Sequence, residues 1–335
     1  MRANCGSREL GSLGRHRAFL GKPPKKGGIV PFKCEPNKVF ETQVRGLVAR
    51  LKAIGCKAVV IGLSGGLDST LALIVAWEAF RRMKLPLSGI HTYTMPGFGT
   101  TKRTKGNAEL LCEGLGLRLE TISIVRACRQ HFKDIGHDGK TPDITYENAQ
   151  ARMRTLILMD KANMLGGIVL GTGDLSEIAL GWCTYNGDHM SMFGVNSGVP
   201  KTIVRKVCTA LAQGKLLGRK ASAAVLDIVA TPVSPELVKG QVTEDKIGPY
   251  EIHDFYLWNF IMNEMGSRDL LAAAKRHFRG VYADEVLMRT LKTFMRRFFT
   301  QAFKRNCQPD GIRVFPFELS PRGWWMPSDL GVVEV

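Results

Sequence analysis

Apolar positions along the chain fall into two rhythms that keep exchanging places. Phe40, Val44, Leu47, Val48 and Leu51 recur at three- and four-residue intervals, which predicts a helix opening near Val39 and ended by Gly55. Residues 57–63 (K-A-V-V-I-G-L) form a short β-branched run that predicts a strand, followed by a glycine-rich turn and a periodic helical stretch over 67–82. The alternation continues with a strand near 89–95, a helix near 104–115, a strand near 117–124 and a long helix over about 146–165. That helix runs through Gly166-Gly167 into the buried run Ile168-Val169-Leu170. Past Pro200 the pattern turns mostly helical, with apolar rows over 254–265 and 285–303, and no internal repeat is visible. Strands alternating with helices predict an α/β fold, a doubly wound parallel sheet with appended C-terminal helices.

Composition narrows the picture little. At 335 residues, 44% apolar and 23% charged, the chain has the profile of one or two globular domains. No run approaches the length that crosses a bilayer and no secretory signal opens the chain, so a soluble, cytoplasmic protein without a membrane partner is expected. The eight cysteines show no C-x-x-C pair and no zinc spacing, which fits reduced thiols. The formal charge of +17 invites a nucleic-acid partner, but residues 1–33 hold eight basic residues against Glu9 alone, so +7 of it lies in the leader. That Gly/Pro-rich leader is expected to be disordered, with 34–335 forming the folded domain. Its Arg-rich, acid-poor composition also fits an organelle transit peptide. The remaining charge suits a ligand carrying several phosphates, so no nucleic-acid partner is expected.

The candidate chemistry sits in two strand-turn-helix units. Ser64-Gly65-Gly66-Leu67-Asp68-Ser69 follows the first strand; its glycines free backbone N–H groups to converge where the helix dipole is positive, which suits an anion. It lacks the spacing and lysine of a Walker A loop. A carboxylate inside such a cradle repels phosphate unless a divalent cation lies between, so Asp68 points to magnesium; as a bare feature it equally suits a helix cap. The second unit, Gly171-Thr172-Gly173-Asp174-Leu175-Ser176-Glu177, repeats the arrangement. If the two strands are neighbours where the winding reverses, Asp68 and Glu177 face each other across the crevice as a metal pair; otherwise Glu177 is a solvated first-turn residue. Asn148 and Arg152 share a helix face upstream, with Arg154 nearby, and Trp182 and Tyr185 offer rings that stack on a base or pack in a core. Lys201 follows Pro200 at a helix start, where the dipole disfavours a cation; a phosphate-neutralising role accounts for it.

Together with Tyr146-Glu147-Asn148-Ala149-Gln150-Ala151-Arg152, Thr184-Tyr185-Asn186-Gly187-Asp188, Pro200-Lys201-Thr202, Phe303-Lys304-Arg305 and Ser320-Pro321-Arg322-Gly323, these segments resemble the synthetase domain of glutamine-dependent NAD synthetases over about residues 31–329. The resemblance implies the N-type ATP pyrophosphatase fold, adenine nucleotide alpha hydrolase-like, with its PP-loop. It implies ATP contacts at Gly62, Leu63, Ser64, Gly65, Gly66, Leu67, Asp68, Ser69, Thr172, Lys201 and Thr231, and magnesium on Asp68 and Glu177. By the same resemblance Asn148, Arg152, Trp182, Tyr185 and Lys304, with Glu177, hold nicotinic acid adenine dinucleotide. Lys201 and Asp68 serve the catalysis, ammonia is the nitrogen donor, and the chain self-associates. The implied reaction is attack of the nicotinate carboxylate on the α-phosphorus of ATP, releasing pyrophosphate, and then displacement of AMP by ammonia to give NAD; a mobile loop at 95–102 would exclude water from the adenylate. The family's longer members carry an N-terminal glutaminase for which the leader leaves no room, so ammonia from solution, a separate glutaminase or a longer parent chain is expected. Gly323-Trp324-Trp325-Met326 is one residue shorter than the family pattern and lacks its Arg, so no role is carried over there. The rival reading is a tRNA-modifying enzyme that adenylates a base with the same loop, and a non-catalytic nucleotide-binding subunit is a third.

Overall fold

The computed structural model describes residues 31–100, 102–231, 243–324, 326 and 328, with 102–105 described through their backbone only. Five parallel strands, β1 (Val59–Gly62), β2 (Ile90–Thr94), β3 (Leu119–Thr121), β4 (Ile168–Gly171) and β5 (Phe193–Gly194), pair in the order β3-β2-β1-β4-β5. All four pairings are parallel, and β1 carries β2 on one edge and β4 on the other, with Val59 opposite Ile168 and Val60 opposite Val169. The winding therefore reverses between β1 and β4, and the turns that leave those two strands emerge side by side.

Alternation along β1 explains the two layers of helices. Val59 and Ile61 are fully buried with α1 (Pro36–Ala53), α2 (Leu67–Met83) and α7 (Lys201–Gln213), whereas Val60 lies in a second cluster with Tyr93, Met95 and Val169. That second cluster is covered by α4 (Val125–Asp134) and α5 (Ile144–Leu165). Helices α3 (Lys102–Gly114) and α8 (Arg219–Ala230) pack together beside α7, and the short α6 (Leu175–Leu180) follows β4. The doubly wound sheet predicted from the sequence is thus the observed one. Helix α4 has no counterpart in the sequence pattern because it buries only Cys128 and Phe132, one turn apart. The two-residue β5 is too short to carry a period.

The appended helices are α9 (Thr243–Ile247), α10 (Tyr250–Met262), α11 (Ser267–His277), α12 (Asp284–Thr300) and α13 (Ala302–Arg305). Nearly every residue of α10 is buried, including Phe255, Tyr256, Leu257 and Trp258, which makes it the axis of this layer rather than a surface helix. Phe32, placed by the sequence in the leader, is also core. Its ring stands edge-on to Trp258 and to Phe315 at 4.9 Å from each, so ordered packing begins before residue 34. Residues 1–30 of the leader lie outside the described residues.

One amide joins the two central turns. Asn196, fully buried after β5, donates from Nδ2 to the backbone oxygens of Asp68 (2.9 Å) and Thr172 (3.0 Å), and its Oδ1 accepts from Gln43 Nε2 of α1 (2.9 Å). Replacing it takes one donor from each of these carbonyls and removes the acceptor that Asn196 Oδ1 offers Gln43. Asn196→Ala is expected to lower the unfolding free energy by about 2–3 kcal/mol, read as a lower urea midpoint at unchanged slope; a loss under about 0.5 kcal/mol would show that the amide does not hold the turns.

His253 on α10 supplies a pH signature of the appendage. It is buried, Nε2 donates to Ile247 O at 2.8 Å, and burial pushes its pKa down to about 4 against a smaller upward pull from that bond. A depressed imidazole binds its proton more readily in the unfolded chain, so its stabilisation is complete above about pH 6.5 and lost as the pH falls towards 4. Relative to His253→Gln, the wild-type chain is expected to lose about 2–3 kcal/mol of stability between pH 7.5 and 4.5 in urea titrations. Parallel pH dependences would overturn the assignment.

Candidate active site

The turn after β1 folds around its own hydroxyls. Gly65 takes the left-handed φ of +78° that glycine adopts without strain, the Gly66 N–H donates to Ser64 Oγ at 3.1 Å, and the hydroxyls of Ser69 and Thr70 return to Gly66 O. Helix α2 begins at Leu67, so Asp68 stands in its first turn. Leu63 and Leu67 are core, and a Cβ on Gly62 would come 3.0 Å from Leu158 of α5, which gives these three positions packing reasons of their own. After β4, Asp174 caps α6 by accepting from the Glu177 N–H at 2.8 Å.

These two helix starts bring three carboxylates together. One oxygen each of Asp68, Asp174 and Glu177 lies within 4.8 Å of the others, the convergence that the sequence proposes for Asp68 and Glu177. Asp174 was not singled out by sequence reasoning because its capping role accounts for it locally; the signal was an acidic residue in the same glycine turn as Glu177. At the centre sits Lys201, the first residue of α7, 2% exposed, with Nζ 2.6 Å from Asp68, 2.7 Å from Asp174 and 2.8 Å from Glu177. The lysine read as a phosphate-facing cation is therefore already held by three acids, and these offset its unfavourable place at a helix N-terminus.

The cluster is short of positive charge. Burial raises the Asp174 carboxyl well above the carboxylate range despite Lys201, and Glu177 is raised by burial and then by Asp68. Burial works against the Lys201 charge, but Asp174, Asp68 and Glu177 outweigh it and its pKa is raised. Asp68 Oδ1 is buried without a hydrogen-bond partner. Hard oxygen donors, an orphaned oxygen and a surplus of negative charge fit a divalent cation such as magnesium.

A crevice beside Glu177 is lined by Gly173, Cys183, Asp188, His189 and Lys304. The expected substrate residues surround the loop after α6. Asn148 Oδ1 accepts from Thr184 Oγ1 at 2.9 Å and Arg152 Nε donates to Tyr185 O at 3.2 Å. The Tyr185 ring is 37% exposed over His189, whereas Trp182 lies under the Arg297 guanidinium at 4.8 Å. Lys304 Nζ donates to Gly181 O and Cys183 O, so its ammonium caps the end of α6 together with Arg297 on Leu180 O and Arg305 on Ala179 O. Thr231 ends α8 with its hydroxyl donating back to Asp227 O of the same helix, away from the three carboxylates' shared hydrogen-bond network among the described residues. Of the loop at 95–102, the described residues 95–100 are tied to α5, Phe98 N donating to Gln150 Oε1 and Arg154 Nε to Met95 O. No helix among the described residues is long and apolar enough to cross a membrane.

Known proteins resemble this chain in sequence and in fold. The family model for NAD synthase matches residues 39–293. Glutamine-dependent NAD(+) synthetases of Mycobacterium tuberculosis H37Rv and Mycobacterium leprae are 38% and 39% identical over 322 and 325 residues, 88% of this chain in each case but 47% and 48% of theirs. The chain thus spans about half the length of the curated relatives it matches. In fold it is similar to a glutamine-dependent NAD(+) synthetase from Cytophaga hutchinsonii, with TM-score 0.73 and 19% identity over 88% of this chain and 54% of that one. It is also similar to the NMN synthetase of Francisella tularensis, with TM-score 0.58 and 24% identity over 75% of this chain and 98% of that one. A glycine turn with its acid on each side of the sheet's switch point and a family match over most of the folded residues lead to one assignment: the chain belongs to the NAD synthase family.

Proposed function

We propose that this chain is the ATP-cleaving part of an NAD synthetase, which amidates nicotinic acid adenine dinucleotide to NAD with ammonia as the nitrogen donor and releases AMP and pyrophosphate. The observation that carries the reading is the trio of carboxylates around Lys201 where two glycine turns meet at the switch point of the sheet. The family membership, and curated relatives named as glutamine-dependent NAD(+) synthetases, support NAD as the product.

Asp68, Asp174 and Glu177 would hold magnesium, which when bound offsets phosphate charge and polarises the α-phosphorus. The N–H groups and hydroxyls of 62–69, with Thr172, cradle the triphosphate tail. The nicotinate carboxylate oxygen attacks the α-phosphorus, the bond to the bridging oxygen breaks and pyrophosphate leaves. Ammonia then attacks the acyl carbon of the adenylate, the bond to AMP breaks, and one ammonia proton is given up to solvent. Lys201 contributes a permanent positive charge beside the leaving phosphates, since its acidic neighbours keep it protonated. Asn148, Arg152 and Tyr185 border the place for the dinucleotide, while Trp182 and Lys304 shape the loop between them. Self-association and a separate source of ammonia belong to the same reading.

With magnesium, ATP, ammonium and the acid dinucleotide, AMP and NAD are expected to form in equal amounts; stimulation of AMP release by tRNA instead would replace the reading with base adenylation. Asp68→Asn and Glu177→Gln are each expected to lower turnover at least about 100-fold with a retained cooperative melt, and full activity in either would remove the metal assignment. Lys201→Met leaves three acids facing one another and is expected to cost about 3 kcal/mol of stability at pH 7.5. Because folding then favours protonated carboxyls, that cost is expected to shrink as the pH falls to 5.5, as measured by urea unfolding.

A further inference from the structure

The ammonium of Lys201 is held by the sheet-end carboxylates, but the backbone from which it projects is held from elsewhere. Asp254, one turn beyond Tyr250 on α10, is 1% exposed. Its Oδ1 accepts from the Ser176 hydroxyl, and its Oδ2 accepts from Thr202 N at 3.0 Å and Thr202 Oγ1 at 2.6 Å. Ser176 Oγ in turn accepts from the Lys201 N–H at 2.8 Å. These donors come from the first turns of α6 and α7, and each is adjacent in sequence to a side chain of the cluster: Ser176 to Glu177, Thr202 to Lys201. On the same face of α10 the Tyr250 ring lies 5.3 Å from Lys201 Nζ.

We propose that Asp254 is a positioning residue, a buried carboxylate in the helical appendage that fastens the starts of α6 and α7 and so fixes Glu177 and Lys201 in place against Asp68. The inference rests on the amidation reading for its kinetic consequence, though not for its geometry. A buried carboxylate is costly unless several donors face it, and three hydrogen bonds face this one. Here a single side chain links both helix starts, and the α7 dipole adds to the hydrogen bonds that favour its charge. A shift of either first turn displaces an oxygen or ammonium of the cluster, where small misplacements cost large factors in rate.

Asp254→Asn keeps the volume but removes the charge and turns an amide donor towards donors. In the full chain it is expected to retain its far-UV spectrum and cooperative melt, lower kcat about 10- to 100-fold and leave KM for ATP within about threefold. In a Lys201→Arg background the same change is expected to cost less than about threefold, because the pair acts as a unit. A kcat within about twofold of wild type, or an equal factor in both backgrounds, would overturn the proposal. Should Asp254→Asn not fold, Thr202→Val removes one bond of the clamp and is expected to lower kcat about 3- to 10-fold with the same non-additivity; additive or absent loss decides against it. Manganese binding followed by electron paramagnetic resonance separates this idea from the reaction assigned above. If the wild-type chain makes no AMP, the amidation reading fails, while an at least tenfold weaker manganese affinity in Asp254→Asn or Thr202→Val still supports the clamp and an unchanged affinity rejects it.

Discussion

Three acidic side chains do not share a few ångströms of protein interior without a counter-charge, and in this chain one lysine supplies it. Asp68 arrives from the turn after β1, Asp174 and Glu177 from the turn after β4, and Lys201 from the start of α7, its ammonium 2.6–2.8 Å from each of the three acids. The parallel order of the sheet puts the two turns side by side, and the buried amide of Asn196 ties their backbones together. Electrostatic balance and the topology of the sheet are thus one constraint, since either strand displaced would leave a charge buried without its partner.

The appended helices complete this arrangement from the other side. Sheet-end turns provide the acids, whereas α7, α12 and α13 provide the cations: Lys201 at the cluster, and Arg297, Lys304 and Arg305 on the carbonyls that end α6. Helix α6 is six residues long, with Asp174 accepting at its first turn and three basic groups donating at its last. Such a short helix has little intrinsic stability, and its orientation is set by these contacts.

The sequence was readable where the physics is local. β-Branched runs bounded by glycine turns located β1, β2 and β4 to within one or two residues, and the repeated strand-turn-acid pattern brought Asp68 and Glu177 together before any coordinate did. Tertiary pairings left no such trace. Asn196 acts through backbone oxygens 128 and 24 positions away, and the Asp254 clamp joins residues separated by 78 and 52 positions. The family resemblance implies a substrate contact at Lys304, but its role as a cap left no trace, because the carbonyls it meets lie more than a hundred positions upstream. Helix α4 escaped notice for having two anchors only.

Phe32 carries a different consequence. Its ring is clasped by Trp258, Phe315 and Phe317, so the earliest and nearly the latest described stretches of polypeptide meet in one aromatic nest. A non-covalent clasp spanning that much chain closes a very long loop, and opening it frees both stretches at once. Loosening of the segments around Phe32 and Phe315 is thereby a single cooperative event, and a protease that finds one of them open finds the other open as well.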